Sequence, residues 1–184
     1  MTASPVPFDG DFAALIRDVP DFPKPGVVFK DITPMLSSPE GFRAVVDALV
    51  EASPGDIDVV LGMEARGFIF GAPVALAMGA ALVPVRKSGK LPRDTVETTY
   101  DLEYGTQTLA VHTDAIRPGD RVLIVDDVLA TGGTVAATAD LVRRLGGSLV
   151  AVTVVMELSY LEPREVLGRH NIDAVTSLVQ ISQE

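Results

Sequence analysis

Short, continuous apolar segments alternate with helical stretches along this chain, and this alternation restricts its fold more than any other feature. Segments Ile57–Gly62, Arg121–Asp127 and Ser148–Leu158 are apolar at most positions, which is typical of strands buried on both faces. Helical stretches lie between them, at Arg66–Gly79 and Thr134–Gly147. The alternation predicts an α/β fold, with a mostly parallel central sheet flanked by helices.

The N-terminal part and one polar segment depart from this pattern. We predict helices at Asp11–Val19 and Pro39–Ser53, whereas the four prolines of Pro20–Pro34 forbid a long helix between them. Residues from about 1 to 35 are expected to form a small hood segment of a single domain that spans residues 1–184. Segment Ser88–Gly105 has no clean period and is long for a connection, so it is either a mobile flap or a β-ribbon.

Composition limits the compartment and the partners. No apolar run approaches the ~20 residues that a membrane span needs, and the first ten residues lack the features of a secretory signal. The absence of cysteine excludes disulfides and thiolate chemistry. A formal charge of −10 argues against general affinity for nucleic acids or anionic membranes. We expect a soluble, cytoplasmic protein whose anionic ligands are met by local basic residues and backbone N–H groups.

The sequence VLIVDDVLATGGT, Val122–Thr134, predicts a phosphate site. Its apolar strand runs into two aspartates, and ligands of parallel sheets bind at the carboxyl ends of strands. Gly132 and Gly133 let the backbone turn sharply and approach a ligand closely. Further donors come from two threonine hydroxyls and from the N-terminus of the following helix. The phosphate cradle comprises Ala130, Thr131, Gly132, Gly133 and Thr134.

The two carboxylates of this motif point to a sugar. Asp126 and Asp127 repel a phosphate, but as acceptors they match the vicinal hydroxyls of a ribose. Their hard oxygen atoms are also compatible with Mg²⁺. The inferred ligand is a ribose that carries a 5-phosphate. The alternative is a polar strand end followed by an ordinary helix start, which a lone pair of aspartates or glycines would favour.

The motif resembles the phosphoribosyl-diphosphate (PRPP) signature of the type I phosphoribosyltransferases. PDFPKPGVVFKDITP, GMEARGFIFGAP, RKSGKLP, YDLEYG and VVMEL resemble, in that order, the members of this family that use adenine, from about Ile16 to the C-terminus. The resemblance implies transfer of a 5-phosphoribosyl group from PRPP to adenine N9, with Mg²⁺, in a homodimer. Two alternatives are an enzyme for another nucleobase and a PRPP-sensing regulator without catalysis.

Basic residues are expected to bind the pyrophosphate. Arg66 stands between a strand end and a helix start, where a cation is unfavourable unless an anion meets it. The resemblance implies a pyrophosphate contact there, with a tight turn through Glu64, Ala65 and Arg66. Arg86, Lys87 and Lys90 form the one dense basic cluster of the acidic chain, which suits a leaving pyrophosphate. The resemblance also implies that part of this cluster, Arg86 in particular, reaches the site of a neighbouring subunit.

The remaining predicted site residues concern the base. The resemblance implies that Glu103 moves the purine proton and that Tyr104 helps to seal the site; otherwise they lie in a surface turn. Residues Val28, Phe29 and Lys30 would hold the purine, through main-chain atoms of Val28 and Lys30 and the ring of Phe29. Leu158 would form the opposite wall of the base pocket.

Overall fold

The computed structural model describes residues 10–101 and 105–182. The chain divides into two compact units, residues 1–48 and residues 49–184. Among the described residues, no helix combines the length and apolar character that crossing a membrane requires.

The first unit contains a two-stranded antiparallel sheet and short helical pieces. A 3₁₀ turn at Ala13–Leu15 leads into β1 (Arg17–Val19), which pairs with β2 (Phe29–Asp31). Helix α1 (Thr33–Leu36) follows, and α2 (Pro39–Glu51) begins in this unit. These elements confirm two predictions, namely that Pro20–Pro34 contains no long helix and that a helix begins at Pro39.

The predicted helix at Asp11–Val19 is wrong beyond the single 3₁₀ turn. Val19 precedes Pro20, and the proline ring disfavours the helical conformation of the residue before it. Extended backbone at Arg17–Val19 instead pairs with β2, from Arg17 opposite Asp31 to Val19 opposite Phe29. The apolar spacing of this stretch therefore does not translate into a helix.

The second unit is a seven-stranded sheet with the order β5-β6-β4-β3-β7-β8-β9. Its strands are β3 (Val59–Met63), β4 (Ala81–Lys87), β5 (Thr95–Asp101), β6 (Thr106–His112), β7 (Arg121–Leu129), β8 (Ser148–Leu158) and β9 (Val175–Ile181). Its helices are α3 (Gly67–Met78), α4 (Gly133–Arg144) and α5 (Pro163–Arg169). Strands β4, β3, β7, β8 and β9 are parallel, and β6 and β5 continue the sheet antiparallel. The prediction of an α/β fold with a mostly parallel sheet is confirmed.

The central strands are buried on both faces. Every residue of β3 is buried, and so are Val122–Val125 of β7. Side chains from these strands pack with the apolar residues of α4 in one core, which includes Val135, Leu141 and Val142. Continuous burial explains why these segments read as unbroken apolar runs rather than as alternating ones.

Strands β3 and β7 are neighbours, and the chain connections leave them toward opposite edges of the sheet. From β3 the chain passes through α3 to β4 on one side, whereas from β7 it passes through α4 to β8 on the other. Right-handed crossovers in opposite directions place the two helices on opposite faces of the sheet. A crevice therefore opens at the carboxyl ends of β3 and β7, where ligands of such folds bind.

Strand β7 continues beyond the aspartates, although the sequence pattern suggested that it ends there. Its pairing with β3 stops at Gly62 opposite Val125, whereas its pairing with β8 runs on to Leu129 opposite Glu157. Asp126 and Asp127 therefore follow the last residue pair with β3, on a strand that β8 still holds in place.

Segment Ser88–Gly105 forms part of a β-ribbon in its described part. Strand β5 pairs with β6 over seven residues, from Thr95 opposite His112 to Asp101 opposite Thr106. Of the two alternatives that the sequence left open, the ribbon is the one observed for Thr95–Asp101.

Candidate active site

A cleft of about 360 Å³ lies at the carboxyl ends of β3 and β7. It collects residues from the β3–α3 and β7–α4 loops, from the ends of β4 and β7, from the start of α4 and from the β5–β6 ribbon. Its lining includes Glu64, Ala65, Arg66, Lys87, Tyr100, Gln107, Asp126, Asp127, Ala130, Thr131, Gly132 and Thr134. The structure thus brings the predicted ribose and phosphate residues together with two of the predicted pyrophosphate residues.

Asp127 is buried against Arg66. Its side chain is 4% exposed, and Arg66 Nε lies 2.9 Å from its Oδ2 atom. The backbone N–H of Asp127 donates to Oδ1 of Asp126 at 2.8 Å, which orients the carboxylate of Asp126. The anion that Arg66 meets within this chain is therefore Asp127, and a bound pyrophosphate would share or replace this contact.

Both aspartates resist ionisation. Burial raises the pKa of Asp126 well above its usual value, and the adjacent charge of Asp127 adds to the rise. Burial also raises the pKa of Asp127, although the Arg66 guanidinium opposes this rise. A ligand that donates hydroxyl protons to these carboxylates, or a cation beside them, would compensate for the lost hydration.

The phosphate cradle is the N-terminus of α4. Gly132 has a φ of +83°, a left-handed conformation that favours glycine, and Gly133 begins the helix. Within residues 10–101 and 105–182 no side chain caps this helix, and Thr131, Gly132 and Thr134 at its start line the cleft. A helix start with free donors and flanking hydroxyls is suited to bind a phosphate.

The start of α5 packs against this cradle. A Cβ atom on Gly132 would lie 2.9 Å from the Pro163 carbonyl oxygen, so a side chain is excluded there on contact as well as on conformation. The next residue, Arg164, donates to the buried Glu157 of β8 through Nε at 2.9 Å and Nη2 at 2.8 Å. Hydrogen bonds from Arg164 lower the pKa of Glu157, and burial only partly opposes them. This ion pair holds α5 behind the phosphate cradle.

The basic cluster surrounds a carboxylate that the sequence analysis assigned only to a turn. Glu64 follows β3, with a cis peptide bond to Ala65. Its carboxylate accepts hydrogen bonds from Arg86 Nε, the Lys87 backbone N–H and Lys90 Nζ, each at 3.1 Å. Burial disfavours its charged form, but the hydrogen bonds of Lys87, Lys90 and Arg86 outweigh burial and lower its pKa. Lys87, whose side chain is exposed, lines the cleft.

Three further residues of the cleft region were missed by the sequence analysis. Tyr100 of β5 places its hydroxyl 2.9 Å from Thr134 Oγ1 and 3.2 Å from Gln107 Oε1. A Cβ atom on Gly67 would lie 2.6 Å from Oδ1 of Asp126, so α3 begins with a residue that leaves room for this carboxylate. No local pattern marks these contacts, because they join segments that are distant in sequence.

The remaining predicted residues belong to the first unit, to the end of β8 or to the part of the chain that the structure does not describe. Glu103 and Tyr104 belong to the segment that the structure does not describe. In the first unit, Val28 is 44% exposed, and Phe29 makes an edge-to-face contact with Phe22 at 5.2 Å between ring centroids. Lys30 pairs with Asp18 at 2.6 Å. Leu158 is the last residue of β8 in the second unit.

Comparison with known proteins agrees with this chemistry. The model of a family described as a phosphoribosyl transferase domain matches residues 37–176. The adenine phosphoribosyltransferase of Cutibacterium acnes is 60% identical over 169 residues, which cover 92% of this chain and 96% of the relative.

Solved structures of similar proteins share the fold. The adenine phosphoribosyltransferase of Rhodothermus marinus superposes with a TM-score of 0.85 at 48% identity, covering 92% of this chain and 96% of that chain. The Saccharomyces cerevisiae enzyme, complexed with an imino-altritol bisphosphate and adenine, gives a TM-score of 0.81 at 39% identity, covering 90% and 94%. With this similarity over nearly its whole length, the chain belongs to the type I phosphoribosyltransferase family, among the adenine phosphoribosyltransferases.

Proposed function

We propose that the chain transfers the 5-phosphoribosyl group of PRPP to N9 of adenine, giving AMP and pyrophosphate. The observation that carries the proposal is the cleft at the β3–β7 switch point, in which the half-buried Asp126 and the buried Asp127 adjoin a helix N-terminus that no described side chain caps. Such a pair suits ribose hydroxyls, and such a helix start suits a 5-phosphate. The choice of adenine is supported by the relatives, one of which binds adenine together with a sugar-like bisphosphate.

In this reaction the bond from C1 of the ribose to pyrophosphate breaks, and a bond from C1 to N9 forms. Asp126 and Asp127 would accept hydrogen bonds from the ribose hydroxyls, close to the carbon on which positive charge develops. Residues Ala130–Thr134 would hold the 5-phosphate, whose binding energy orients the reacting carbon. Neither carboxylate forms a covalent bond in this mechanism.

The leaving pyrophosphate would be received by the cations around the cleft. Arg66 points into the cleft from the start of α3, and Lys87 lines it from the end of β4. Arg86 and Lys90 would exchange part of their contact with Glu64 for contact with the pyrophosphate. Basic groups placed where the departing charge accumulates stabilise the transition state more than the ground state.

Mg²⁺ is the cofactor of this proposal. Among the described residues no group of three or more His, Cys, Asp or Glu side chains is placed to hold a metal ion. The donors fit a different arrangement, in which Mg²⁺ is bound mainly by substrate oxygens and approached by Asp126 or Asp127. Bound in this way, the ion would neutralise charge on the pyrophosphate.

Base recognition is assigned to the first unit and to the end of β8. Main-chain atoms of Val28 and Lys30 and the ring of Phe29 would contact the purine, with Leu158 as the opposite wall. Glu103 would handle the purine proton when the flap of residues 88–105 closes, and Tyr104 would help to exclude water.

The proposal includes a cytoplasmic homodimer. Helix α3 is apolar at all of its positions, and such a helix normally has every face covered. Ile69 and Leu76 nevertheless lie on its exposed side, with Leu76 84% exposed. Leu82 of the neighbouring strand β4 is also exposed, at 43%. A second copy of the chain would cover this surface. The absence of cysteine supports a reducing compartment.

The test is a spectrophotometric assay with PRPP, Mg²⁺ and one base at a time: adenine, hypoxanthine, guanine, xanthine or uracil. We expect turnover with adenine alone. Turnover with another base would retain the PRPP site and reject the assigned base pocket. PRPP binding without turnover on any base would indicate a sensor rather than an enzyme.

Replacement of Asp127 tests the role of the carboxylates. We expect Asp127→Asn to lower kcat/KM by about a hundredfold, since an amide accepts hydrogen bonds from the ribose less strongly than a carboxylate. Its melting temperature should change little, because the relief of a buried charge is offset by the loss of the ion pair with Arg66. The exposed Asp114→Asn is the control for the change in charge. Parallel loss of activity and stability in Asp127→Asn would contradict the assignment.

A further inference from the structure

Tyr100 connects the β5–β6 ribbon to the phosphate cradle. Its hydroxyl lies 2.9 Å from Oγ1 of Thr134, in the first turn of α4, and 3.2 Å from Oε1 of Gln107 on the neighbouring strand. The ring also covers the helix start, since a Cβ atom on Gly133 would lie 3.3 Å from Cδ2 of Tyr100. Tyr100 is thus in contact with two consecutive residues of the predicted phosphate site.

Strand β5 contacts α4 at two further places. Thr98 donates to Asp140 in the middle of the helix at 3.2 Å, and Arg144 in its last turn donates to the backbone carbonyl of Glu97. Strand β5 therefore lies along α4, with Tyr100 at the phosphate-binding end. The pairing of β5 with β6, in which Tyr100 lies opposite Gln107, places a side chain that carries no local sequence signal.

The hydrogen bonds determine where the Thr134 proton points. Each hydroxyl has a single proton, so Thr134 can donate either to Tyr100 or to a phosphate oxygen, but not to both. Rotating the side-chain amide of Gln107 by half a turn places its NH₂ group where its oxygen was. With NH₂ facing Tyr100, Gln107 donates to Tyr100, Tyr100 donates to Thr134, and the Thr134 proton is free for a phosphate. With the oxygen facing Tyr100, as in this structure, Tyr100 donates to Gln107 and accepts from Thr134.

We propose that Tyr100 and Gln107 are positioning residues for the 5-phosphate, because together they direct the hydroxyl proton of Thr134 toward that phosphate. The inference rests on the proposed function, whose phosphate site includes Thr134. Phosphate binding reverses the direction of the hydrogen-bond chain from Gln107 to Thr134, and the chain links the β5–β6 ribbon to occupancy of the cradle. Hydrogen bonds aligned in one direction strengthen one another.

The experiment is a double-mutant cycle with Tyr100→Phe, Thr134→Val and the double variant. Tyr100→Phe removes one oxygen atom and keeps the ring over Gly133. The readouts are the KM for PRPP, the KM for adenine, and the Kd for ribose 5-phosphate by calorimetry. Thr98→Val is the matched control, because it removes a contact between β5 and α4 that lies away from the cradle. Thr134→Ser, which keeps the hydroxyl, is the conservative variant.

We expect Tyr100→Phe to raise the PRPP KM and the ribose 5-phosphate Kd roughly three- to tenfold, with the adenine KM unchanged. The effect should vanish in the Thr134→Val background, since coupled residues are not additive. It should persist with Thr134→Ser, and Thr98→Val should resemble the wild type.

Additive effects of Tyr100→Phe and Thr134→Val, or an equal effect of Thr98→Val, would overturn the inference. The binding data separate this result from failure of the proposed function. Absent turnover with adenine would reject the function, but coupling in the ribose 5-phosphate Kd would still support the role of Tyr100. Turnover with adenine and additive Kd values would retain the function and reject that role.

Discussion

At the scale of single residues, the cleft places two carboxylates where hydration is poor. Asp126 and Asp127 are adjacent in sequence and both face the cleft, and burial raises the pKa of each. An unoccupied site of this kind destabilises the fold at neutral pH, because the charges are neither hydrated nor fully paired. The charged carboxylates therefore lower the stability of the empty protein, although they favour binding of the ligand.

Replacing Asp126 should change the stability of the protein by an amount that depends on pH. The folded protein holds the Asp126 proton at pH values where the unfolded chain has lost it, so this residue lowers stability as pH rises above about 4. We expect Asp126→Asn to be more stable than the wild type at pH 7, by about 1 kcal/mol or roughly 2–4 °C. The advantage should shrink toward zero below about pH 4.

Thermal melts of both proteins from pH 3.5 to 8 would measure this difference, while PRPP turnover should fall sharply in the variant. Asp127 and Arg66 also face this carboxylate, so Asp127→Asn is melted in parallel to separate their contribution. A difference in stability that does not change with pH would contradict the explanation.

Glu64 is the internal counter-charge of the basic cluster. We expect Glu64→Gln to bind pyrophosphate roughly three- to tenfold more tightly, because a negative charge a few ångströms from the ligand is removed. Inhibition by pyrophosphate at low and high salt would measure the effect, which should weaken as salt rises. Asp114→Asn, which removes an exposed charge paired with Arg93, is the control. Weaker pyrophosphate binding by Glu64→Gln would show that Glu64 mainly positions the cations.

At the scale of elements, glycines allow α3 to approach the sheet and the carboxylates. A Cβ atom on Gly71 would lie 3.1 Å from the Cα atom of Gly62 in β3, so helix and strand meet at backbone distance. At the helix start, Gly67 faces the Asp126 carboxylate and the Val125 carbonyl. The carboxylate of Asp126 thus occupies space that a side chain at the start of α3 would fill.

Gly67→Ala should disturb the ribose site more than the fold. The added methyl group would lie 2.6 Å from Oδ1 of Asp126, which must move away. We expect the PRPP KM to rise roughly tenfold, with a loss of stability of about 1–2 kcal/mol from overpacking. Gly168→Ala in α5 is the matched control, because no atom lies within 4 Å of its added Cβ, and it should be neutral or slightly stabilising. Unchanged PRPP kinetics in Gly67→Ala would exclude this contact as a determinant of the site.

At the scale of the whole molecule, an acidic chain binds an anionic substrate. The formal charge is −10, so under the proposed function the attraction of PRPP would come from the local field of Arg66, Arg86, Lys87 and Lys90 and from the α4 N-terminus. The apolar face of α3 is the other large-scale feature, because it leaves Leu76 exposed. Binding of a polyphosphate would explain the local basic cluster, and a dimer would explain the exposed apolar face.

Leu76→Glu should dissociate that dimer. A charge in an apolar interface is not compensated, whereas the exposed position of Leu76 leaves the fold of each chain intact. Sedimentation velocity and light scattering should show a dimer for the wild type and a monomer for the variant, with unchanged circular dichroism. Gln180→Glu, on the edge strand β9, adds the same charge away from α3 and should remain dimeric. A dimeric Leu76→Glu would place the interface elsewhere.

Local patterns in the sequence were sufficient to predict the fold class, and they led to the ribose and phosphate residues, whose roles stay a prediction. Continuous apolar strands, helical spacing and the Asp126–Thr134 motif are written in adjacent residues, so the α/β sheet and its carboxyl-end cleft followed from them. The predicted helix at Asp11–Val19 failed because a long-range partner, β2, competed with local propensity.

Tertiary structure alone decided which distant segments share the cleft. The sequence does not state the strand order, and it is this order that makes β3 the neighbour of β7 and so brings Arg66 to Asp127. The contact of Glu64 with Arg86 and Lys90 and that of Tyr100 with Thr134 likewise depend on packing between elements. Such contacts leave no periodic trace in the chain, because their energy depends on the global arrangement of strands rather than on neighbouring residues.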